Sequence, residues 1–484
     1  MALPQLYQAV KSESPSTRIS SGRGSAEDTK PQRQGTILTI EVLICAAISF
    51  MCVVNMIACV VDFSSHSKPF YRSYQFKLSN SWLGHGILLD NSDGQYADFR
   101  RNLNILIPLL LLHVGLSNAV QQYSLANFEA NDPHFQRPRV WLSFAFSTLF
   151  FLIYNGLSGF LKLVLVLGLN FALAKMLRGS RMAPFATWAY GLTVLIGTHY
   201  FKGFEFAWIS PVLKGLDSMA GMNNGWYDPL RFCFLRMISF NFDYYWRCGD
   251  PSNEKAKLQT HMDLCNECSR VEPFSQCTKS RMQIPQPTND YNIVSYFTYT
   301  LYLPLYLAGP IISFNDFHAQ MKRRPVATNP SKQIRYILRW IVNLAIMETF
   351  MHVAYVIAIA GTGKVWMQGE FSAFQVACLG FFNLKHIWLK LLVIWRFFRM
   401  WALLDGIETV ENMNRCMTNN YSAGGFWRSW HRSFNRWIIR YIYVPLGGSK
   451  MYILNLIFSF TFVAIWHDLG ECLYISISCT EVLY

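Results

Sequence analysis

A histidine near the end of the sequence is the residue best suited to acid–base chemistry. His467 closes an apolar run that begins at Tyr452, within the stretch Phe-Val-Ala-Ile-Trp-His-Asp (residues 462–468). An imidazole inside or at the edge of a bilayer is costly to charge, so it tends to stay neutral at pH 7 and able to accept a proton. A general base needs that state. We therefore predict that His467 acts as a general base.

A second histidine lies in an amphipathic segment rich in arginine and tryptophan. If residues 426–443 form one helix, Trp427, His431 and Asn435 follow one another along a single ridge. A neighbouring ridge then carries Arg428, Arg432, Arg436 and Arg440. This pattern indicates polar and cationic groups presented beside the membrane interior. A helix that only anchors the protein at the interface would show the same pattern.

A line of basic side chains also follows the apolar segment 381–399. At about 100° per residue, Lys385, Arg396 and Arg399 fall within about 60° of one another on a helix. Two interpretations are open. The cations extend to the lipid headgroups, or they contact the phosphates of a nucleotide-bearing donor.

The composition is that of a polytopic membrane protein. Of 484 residues, 52% are hydrophobic and 15% charged, and the mean hydropathy is +0.18. These values exclude a disordered or an ordinary water-soluble protein. The formal net charge of +14 is spread over loops that flank the apolar segments, so we expect membrane lipids or a phosphorylated donor as partners, and no nucleic acid. The predicted fold class is all-α.

The apolar segments set the expected domain organisation. About nine of them are long enough to cross a hydrocarbon core of about 30 Å. Residues 1–34 are polar, Ser-rich and basic, and they are expected to form a disordered cytosolic tail. The longest polar insert, about 248–291, separates two membrane regions. The predicted spans lie near 37–61, 103–121, 139–158, 160–178, 183–201, 292–314, 336–361, 371–396 and 451–467.

The polar insert contains a group of thiols whose role the sequence leaves open. Cys265-x-x-Cys268 has the local spacing of a zinc knuckle, but Cys248 and Cys277 do not form a second pair, and His261 lies nearby. Metal binding, lipidation, a luminal disulfide and unremarkable loop thiols are all compatible with this spacing.

Several separated blocks resemble the membrane-bound O-acyltransferase (MBOAT) family. The resemblance extends over about residues 75–468 and is greatest to the eukaryotic glycerol-uptake-protein branch, which is associated with O-acylation in the remodelling of glycosylphosphatidylinositol (GPI) anchors. Hedgehog acyltransferases form a sister branch. The matching blocks are residues 90–96, 235–243, 308–316, 399–407, 426–449 and the Trp466-His467 pair.

The resemblance implies an MBOAT-type helical domain over residues 35–468 that performs O-acyl transfer. His467 matches the near-universal family histidine, and His431 matches the second polar position of the signature. Asn435 and Trp427 would orient the acceptor or stabilise the oxyanion. The implied scheme needs no metal ion and no cofactor beyond acyl-coenzyme A (acyl-CoA) as co-substrate.

The resemblance also implies the substrates and the location. The acceptor would be a lyso-GPI or another lysolipid, and the protein would be a multi-pass protein of the endoplasmic reticulum membrane, with the plasma membrane as a second site. The phosphates of acyl-CoA would meet basic side chains. The candidates are Lys385, Arg396, Arg399, Arg432 and Arg436.

Two other functions follow from features of the same sequence. Family members continue beyond the Trp-His pair, whereas residues 469–484 are too short to cross a bilayer, so we expect the last helices of the fold to be missing. A non-catalytic regulator is then an alternative to an active enzyme. A proton-coupled glycerol transporter is another alternative, with Glu348, His352 and His467 as a proton relay, although the sequence shows no inverted repeat.

Overall fold

The structure, a computed structural model, is mostly helical. The described residues contain one two-stranded ribbon beside the helices, which confirms the all-α class. The predicted tails, 1–34 and 469–484, lie outside the described residues. Those described are 40–84, 86–128, 137–223, 225–227, 230–249, 259–261, 263, 265, 268, 277–322, 330–363 and 371–467.

The helices follow one another along the chain with few strands between them. The ribbon pairs β1 (Leu78–Asn80) with β2 (Leu88–Asp90), so that Ser79 lies opposite Leu89. The α-helices are α1 (Ile40–Phe63), α2 (Gly94–Asn127), α3 (Arg137–Leu177), α4 (Ala183–Phe201), α5 (Phe206–Ile209), α6 (Lys214–Asp217), α7 (Leu230–Cys248), α8 (Thr278–Gln283), α9 (Ile293–Thr300), α10 (Leu303–Tyr306), α11 (Phe314–Lys322), α12 (Pro330–Val353), α13 (Val356–Ala360), α14 (Ala373–Leu404), α15 (Ala423–Ser429), α16 (Arg432–Ile438) and α17 (Tyr452–His467). Short 3-10 helices occur at Pro69–Ser73, Gln75–Lys77, Pro211–Leu213, Thr288–Asp290 and Gly448–Met451, and a π-helical turn at Ile439–Tyr443.

Five helices of the described chain are long and apolar enough to cross a membrane. They are α1, α2, α3, α14 and the segment Gly448–His467, which contains α17. The sequence predicted about nine spans. One source of the difference is α3, because the predicted spans 139–158 and 160–178 both lie in this 41-residue stretch, in which two helices meet at a kink. The predicted span 183–201 is a helix, α4, but it is not among the five.

A kink at Gly156 separates the two helical parts of α3, close to the boundary between the two predicted spans. Gly156 has φ 68° and ψ 175°, which is not a helical conformation. A Cβ atom on Gly156 would lie 2.3 Å from the backbone nitrogen of Gly221, and a Cβ on Gly221 would lie 2.1 Å from the nitrogen of Gly156. Only glycine at both positions permits this approach of two backbones.

The predicted span at 292–314 is broken into three pieces, and this prediction was wrong. Helix α9 ends at Thr300, α10 occupies Leu303–Tyr306, and the chain is then non-helical until α11 begins at Phe314. The cause is local: Pro304 lacks a backbone N–H, and Gly309-Pro310 follows one turn later. The segment 292–314 is apolar, as predicted, but its proline and glycine residues prevent one continuous helix.

The chain divides into two compact units, and the first contains the ribbon. It consists of Met1–Ala97, Met347–Trp388 and Met417–Arg428. Asp90, at the end of β2, accepts hydrogen bonds from the backbone N–H groups of Ile357 and Ala358, both at 2.9 Å. These bonds start α13 as a separate helix, so the predicted span 336–361 ends early, at Val353. The hydrophobic core of the first unit comprises Val60, Phe63, Tyr74, Ala354, Tyr355, Val356, Ala358, Ile359, Cys378 and Leu379.

The second unit is organised around α7. It consists of Asp98–Ile346, Leu389–Cys416 and Ser429–Tyr484. Helix α7 is buried along most of its length and packs against α3, α4, α9 and α11. Polar bonds fix this packing, because the amide of Asn241 donates to Asn170 at 2.9 Å and to Thr187 at 3.2 Å. Buried amides that satisfy one another hold helices in one register.

Candidate functional site

The end of α17 is fixed by a pair of reciprocal bonds to the start of α7. The guanidinium of Arg231 donates to the carbonyl oxygen of His467 at 2.9 Å. In return, the indole nitrogen of Trp466 donates to the carbonyl of Arg231 at 2.9 Å. A cation at the carboxyl end of a helix also complements the helix dipole. No local sequence signal predicts this role for Arg231, because Arg231 lies more than 200 residues before His467 in the chain.

The imidazole of His467 is exposed at the last residue of α17. It lies perpendicular to the ring of Phe434, with the ring centroids 6.4 Å apart, and edge-on to Trp466 at 4.9 Å. Among the described residues, no hydrogen bond to its ring nitrogens is found. A general base must keep a ring nitrogen available for the proton that it accepts, and this geometry leaves one available.

His431 interrupts the helix that was expected over residues 426–443, and that expectation was wrong. The residue has φ 45° and ψ 50°, a left-handed conformation, and it separates α15 from α16. Few residues other than glycine adopt this conformation, and it costs about 1–2 kcal/mol. The proposed ridge of Trp427, His431 and Asn435 along one continuous helix therefore does not exist.

The ring of His431 lies between aromatic rings. It stacks on Trp395, with the centroids 4.4 Å apart and the planes at 21°, and it contacts Phe434 at 5.1 Å. Burial, with a smaller contribution from the neighbouring His467, lowers the pKa of His431 to about 3. His431 is therefore neutral at physiological pH. Both predicted catalytic histidines contact Phe434, so the fold brings them together.

The break at His431 is held by Asn412, a residue that the sequence analysis did not single out. Its carbonyl oxygen accepts from the N–H of Arg432 at 3.1 Å, and its side-chain oxygen accepts from the N–H of Ser433 at 3.2 Å. These are first-turn N–H groups of α16, which have no partner within the helix. Asn412, 1% exposed, thus acts as the cap that positions α16 and the histidine before it.

The two predicted helper residues lie on opposite sides of the break. Asn435 is in the second turn of α16, and its backbone N–H donates to the carbonyl of His431 at 3.1 Å. Trp427 is in α15, is 41% exposed and belongs to the first unit. Asn435 thus lies in α16, one helical turn after His431, whereas Trp427 lies in the separate helix α15.

The basic line on α14 is largely occupied by internal partners. Arg396 Nε lies 3.1 Å from Glu411, and Arg399 lies 3.6 Å from the same carboxylate. Arg399 also donates to the carbonyl of Thr409 at 2.9 Å. Lys385, in the first unit, donates to the hydroxyl of Thr418 at 2.6 Å. A donor phosphate at Arg396 or Arg399 would have to compete with Glu411.

Arginines of α16 and the following turn have different surroundings. Arg436 lines a cavity of the second unit, and Arg432 is half-buried. Neither of the histidines predicted to be catalytic lines this cavity. Arg440 instead forms a buried ion pair with Asp243, at 2.8 Å. The cavity is lined by Thr278, Met282, Ile311, Ile312, Ser313, Asp316, Thr409, Val410, Ser433, Arg436, Trp437 and Tyr441.

Three of the sequence blocks meet at the buried carboxylate of Asp243. It accepts from Arg440 at 2.8 Å, from the hydroxyl of Tyr441 at 3.1 Å and from the N–H of Asn315 at 3.1 Å. Burial raises the pKa of Asp243 despite the arginine. These bonds join block 235–243 to blocks 308–316 and 426–449, so residues far apart in the sequence form one framework behind the histidines.

Two of the three residues of the alternative proton relay, Glu348 and His352, bond to other groups of the first unit. His352 approaches the carbonyl of Glu348 with Nδ1 at 2.6 Å and the hydroxyl of Ser81 with Nε2 at 2.7 Å. The carboxylate of Glu348 accepts from the hydroxyl of Tyr96 at 3.3 Å. These bonds tie α12 to the ribbon and to the start of α2, which is a structural role.

Comparison with known proteins supports the family resemblance. The profile of the MBOAT, membrane-bound O-acyltransferase family matches residues 222–482 of the 484-residue chain. The chain is 40% identical over 407 residues to "Membrane-bound O-acyltransferase gup1" of Schizosaccharomyces pombe, an alignment that covers 84% of this chain and 67% of that protein. It is 37% identical over 414 residues to the GUP1 protein of Saccharomyces cerevisiae, covering 84% and 69%.

A more distant relative confirms the expected sister branch. The chain is 29% identical over 241 residues to "Protein-cysteine N-palmitoyltransferase HHAT" of Mus musculus, covering 46% of each protein. The chain spans about two thirds of the length of the fungal relatives. The predicted enzyme class, acyl transfer by a multi-pass membrane protein, is thereby confirmed at the level of the family. On the strength of the family profile and these relatives, the chain belongs to the membrane-bound O-acyltransferase family.

Proposed function

We propose that the protein transfers a long acyl chain from acyl-CoA to a hydroxyl group of a lipid, and that the lipid is a lyso-GPI anchor. The observation that carries this proposal is the meeting of His467 and His431 around Phe434, at 6.4 and 5.1 Å from its ring. An apolar helix that ends in an exposed imidazole suits a lipid acceptor, because the acyl tail stays in hydrocarbon while the hydroxyl reaches the base.

In the proposed reaction His467 acts as the general base. One ring nitrogen takes the proton of the acceptor hydroxyl as that oxygen attacks the carbonyl carbon of the thioester. The C–O bond forms, the carbonyl oxygen becomes an oxyanion, and the C–S bond then breaks. The thiolate leaves and is protonated by the imidazolium, which returns His467 to its neutral form. The products are the acylated lipid and free coenzyme A.

His431 is assigned to the oxyanion or to the acceptor. Because its pKa is lowered to about 3, its ring stays neutral and is a poor source of protons for the leaving group. A neutral imidazole still carries one N–H that can donate a hydrogen bond. The thiolate needs little help, since free thiols have a pKa of about 8.5. Asn435 is a second candidate donor from the same helix.

The donor phosphates are assigned to Arg432 and Arg436, with Lys385, Arg396 and Arg399 as weaker candidates. Arg436 lines the cavity of the second unit, and a phosphate at Arg396 or Arg399 would compete with the carboxylate of Glu411. Multi-pass insertion in the endoplasmic reticulum membrane, with the plasma membrane as a second location, completes the proposal.

The test is an acyl-transfer assay in microsomes that lack the endogenous enzyme. Labelled acyl-CoA is supplied with a panel of lyso-GPI, other lysolipids and glycerol, and transfer to lyso-GPI is expected to be fastest. His467→Ala should lower the rate by at least about 100-fold, because general base catalysis contributes 100- to 10,000-fold. His66→Gln, at an exposed histidine in the first unit, is the matched control and should leave the rate unchanged.

Two results would contradict separate parts of the proposal. Normal turnover by His467→Ala would remove the base assignment while leaving the acceptor intact. Preference for another lysolipid would change the acceptor while leaving the chemistry intact.

A further inference from the structure

Four side chains that commonly bind metals converge in the described part of the polar insert. They are His261, Cys265, Cys268 and Cys277, and their ligand atoms all lie within 4.8 Å of one another. Nε2 of His261 lies 3.2 Å from Sγ of Cys277 and 3.5 Å from Sγ of Cys268. The sulfurs of Cys265 and Cys277 are 3.9 Å apart. The proposed acyl transfer uses none of these groups.

Three of the six separations between these ligand atoms are close to the edges of a tetrahedron around zinc, and the other three are no longer than 4.8 Å. With Zn–S bonds of about 2.3 Å and a Zn–N bond of about 2.0–2.1 Å, two sulfurs lie about 3.8 Å apart and nitrogen and sulfur about 3.6 Å apart. The observed edges of 3.9, 3.2 and 3.5 Å differ from these by a few tenths of an ångström. A disulfide would instead require about 2.05 Å between sulfurs, far less than the 3.9 Å between Cys265 and Cys277.

We propose that His261, Cys265, Cys268 and Cys277 bind one Zn²⁺ in a closed structural site. Three sulfurs and one imidazole form a soft donor set that selects zinc over the hard cations Mg²⁺ and Ca²⁺. Four protein ligands complete the coordination of zinc, so no position remains for a water or a substrate. Cys248, the other cysteine of the insert, is not a member of the cluster.

Backbone hydrogen bonds surround the sulfurs as they do in structural zinc sites. The N–H of Cys277 donates to Sγ of Cys268 at 3.3 Å, and the N–H of Ser280 donates to Sγ of Cys277 at 3.4 Å. Such donors stabilise the negative charge of a thiolate and orient it toward the metal. Both bonds lie at the residue that precedes α8, so the site is continuous with that helix.

Through α8 the site would hold the insert against the framework of the second unit. Arg281 in α8 pairs with the buried carboxylate of Asp316 at 2.6 Å and with Glu408 at 3.2 Å. Glu408 begins the stretch that leads to Asn412, the cap of α16. A metal that fixes one end of α8 therefore stabilises a chain of contacts that reaches the helix of His431.

The experiment measures metal in the full chain purified in detergent. Elemental analysis is expected to give one zinc per chain, and X-ray absorption at the zinc edge should show three sulfurs at about 2.3 Å and one nitrogen at about 2.0–2.1 Å. The double variant Cys268→Ser/Cys277→Ser should lose the zinc and unfold at a lower temperature. Cys248→Ser is the matched control and should keep both the zinc and the unfolding temperature.

The X-ray absorption spectrum of the wild-type protein tests the site even if the double variant fails to fold. Folded protein from zinc-supplemented cells that contains no zinc would overturn the proposal. A disulfide between Cys265 and Cys277 in a non-reduced peptide digest would also overturn it. A spectrum with mainly oxygen ligands would show adventitious zinc at another place, and the proposal would then be wrong.

Discussion

The pKa of His431 differs between the folded and the unfolded chain. Stacking against Trp395 at 4.4 Å removes water from one face of the ring, and burial lowers its pKa to about 3. In the unfolded chain a histidine titrates near about 6.5. Between these two values the unfolded state binds a proton that the folded state does not bind. The stability conferred by a neutral His431 is therefore complete above about pH 6.5 and is lost as the pH falls.

The first prediction concerns this difference in protonation. Wild-type protein in detergent should unfold at a lower temperature at pH 4 than at pH 7, and His431→Gln should lose a few degrees less over the same interval. Glutamine at position 431 cannot bind a proton in the unfolded chain, so the unfolding temperature of the variant falls less at acid pH. Intrinsic tryptophan fluorescence during heating gives both temperatures.

The same measurement has a control and a clear contrary result. His66→Gln removes an exposed histidine of the first unit and should leave the pH dependence of unfolding unchanged. Identical pH dependence in His431→Gln and wild type would mean that His431 takes up its proton equally in both states, contrary to its buried position.

At single residues, the sequence indicates candidate side chains, and the structure adds the partners that the sequence does not predict. His467 and His431 were identified from their positions beside apolar segments, and the fold brings both to Phe434. Arg396 and Arg399 were correctly placed on one helix, but their partner, Glu411, lies in the stretch after that helix. Helical spacing predicts which side chains share a face of a helix. It does not predict which residues from elsewhere in the chain contact that face.

At the scale of helices, the unexpected feature is the break between α15 and α16. Spacing by three and four residues predicts one helix over 426–443, because the pattern of aromatic and basic residues continues through His431. The left-handed conformation at His431 is imposed from elsewhere: Asn412 supplies the partners for the first N–H groups of α16. A cap that lies about twenty residues upstream of its helix has no local sequence signal.

The second prediction follows from this cap. Asn412→Ala leaves the buried N–H of Ser433 without its side-chain acceptor, which should lower the free energy of unfolding by about 1–3 kcal/mol. The turnover rate in the acyl-transfer assay should fall by more than the loss of folded protein explains, while the apparent affinity for acyl-CoA stays the same. Asn412→Asp retains an acceptor oxygen and should recover part of the rate.

A second asparagine supplies the control for the Asn412 variants. Asn343 in α12 only donates to the carbonyl of Arg339 one turn earlier, so Asn343→Ala should change stability by no more than about 0.5 kcal/mol and should not change turnover. Equal rates per folded molecule for Asn412→Ala and wild type would show that the cap does not position the site.

At the scale of the whole molecule, apolar composition predicts membrane insertion well and the number of spans less well. Five helices of the described chain are long and apolar enough to cross, fewer than the nine expected. Two predicted spans both lie in α3, Pro304 with Gly309-Pro310 divides another, and the helices at the predicted spans 183–201 and 336–361, α4 and α12, are not among the five. Hydropathy measures the transfer of side chains into lipid. It does not register where the backbone bends or stops, which glycine and proline decide.

The third prediction separates an enzyme from a carrier in the intact protein. Purified full chain in liposomes is given acyl-CoA and a lysolipid acceptor in one experiment, and a gradient of labelled glycerol without acyl donor in another. Acyl transfer without glycerol flux is expected, because Glu348 and His352 bond to Tyr96 and Ser81 within the first unit, which favours a structural role over a relay. His467→Ala should abolish the transfer and leave the glycerol permeability at the level of empty liposomes. Glycerol flux that needs no acyl donor and disappears in His467→Ala would instead assign this imidazole to proton-coupled transport.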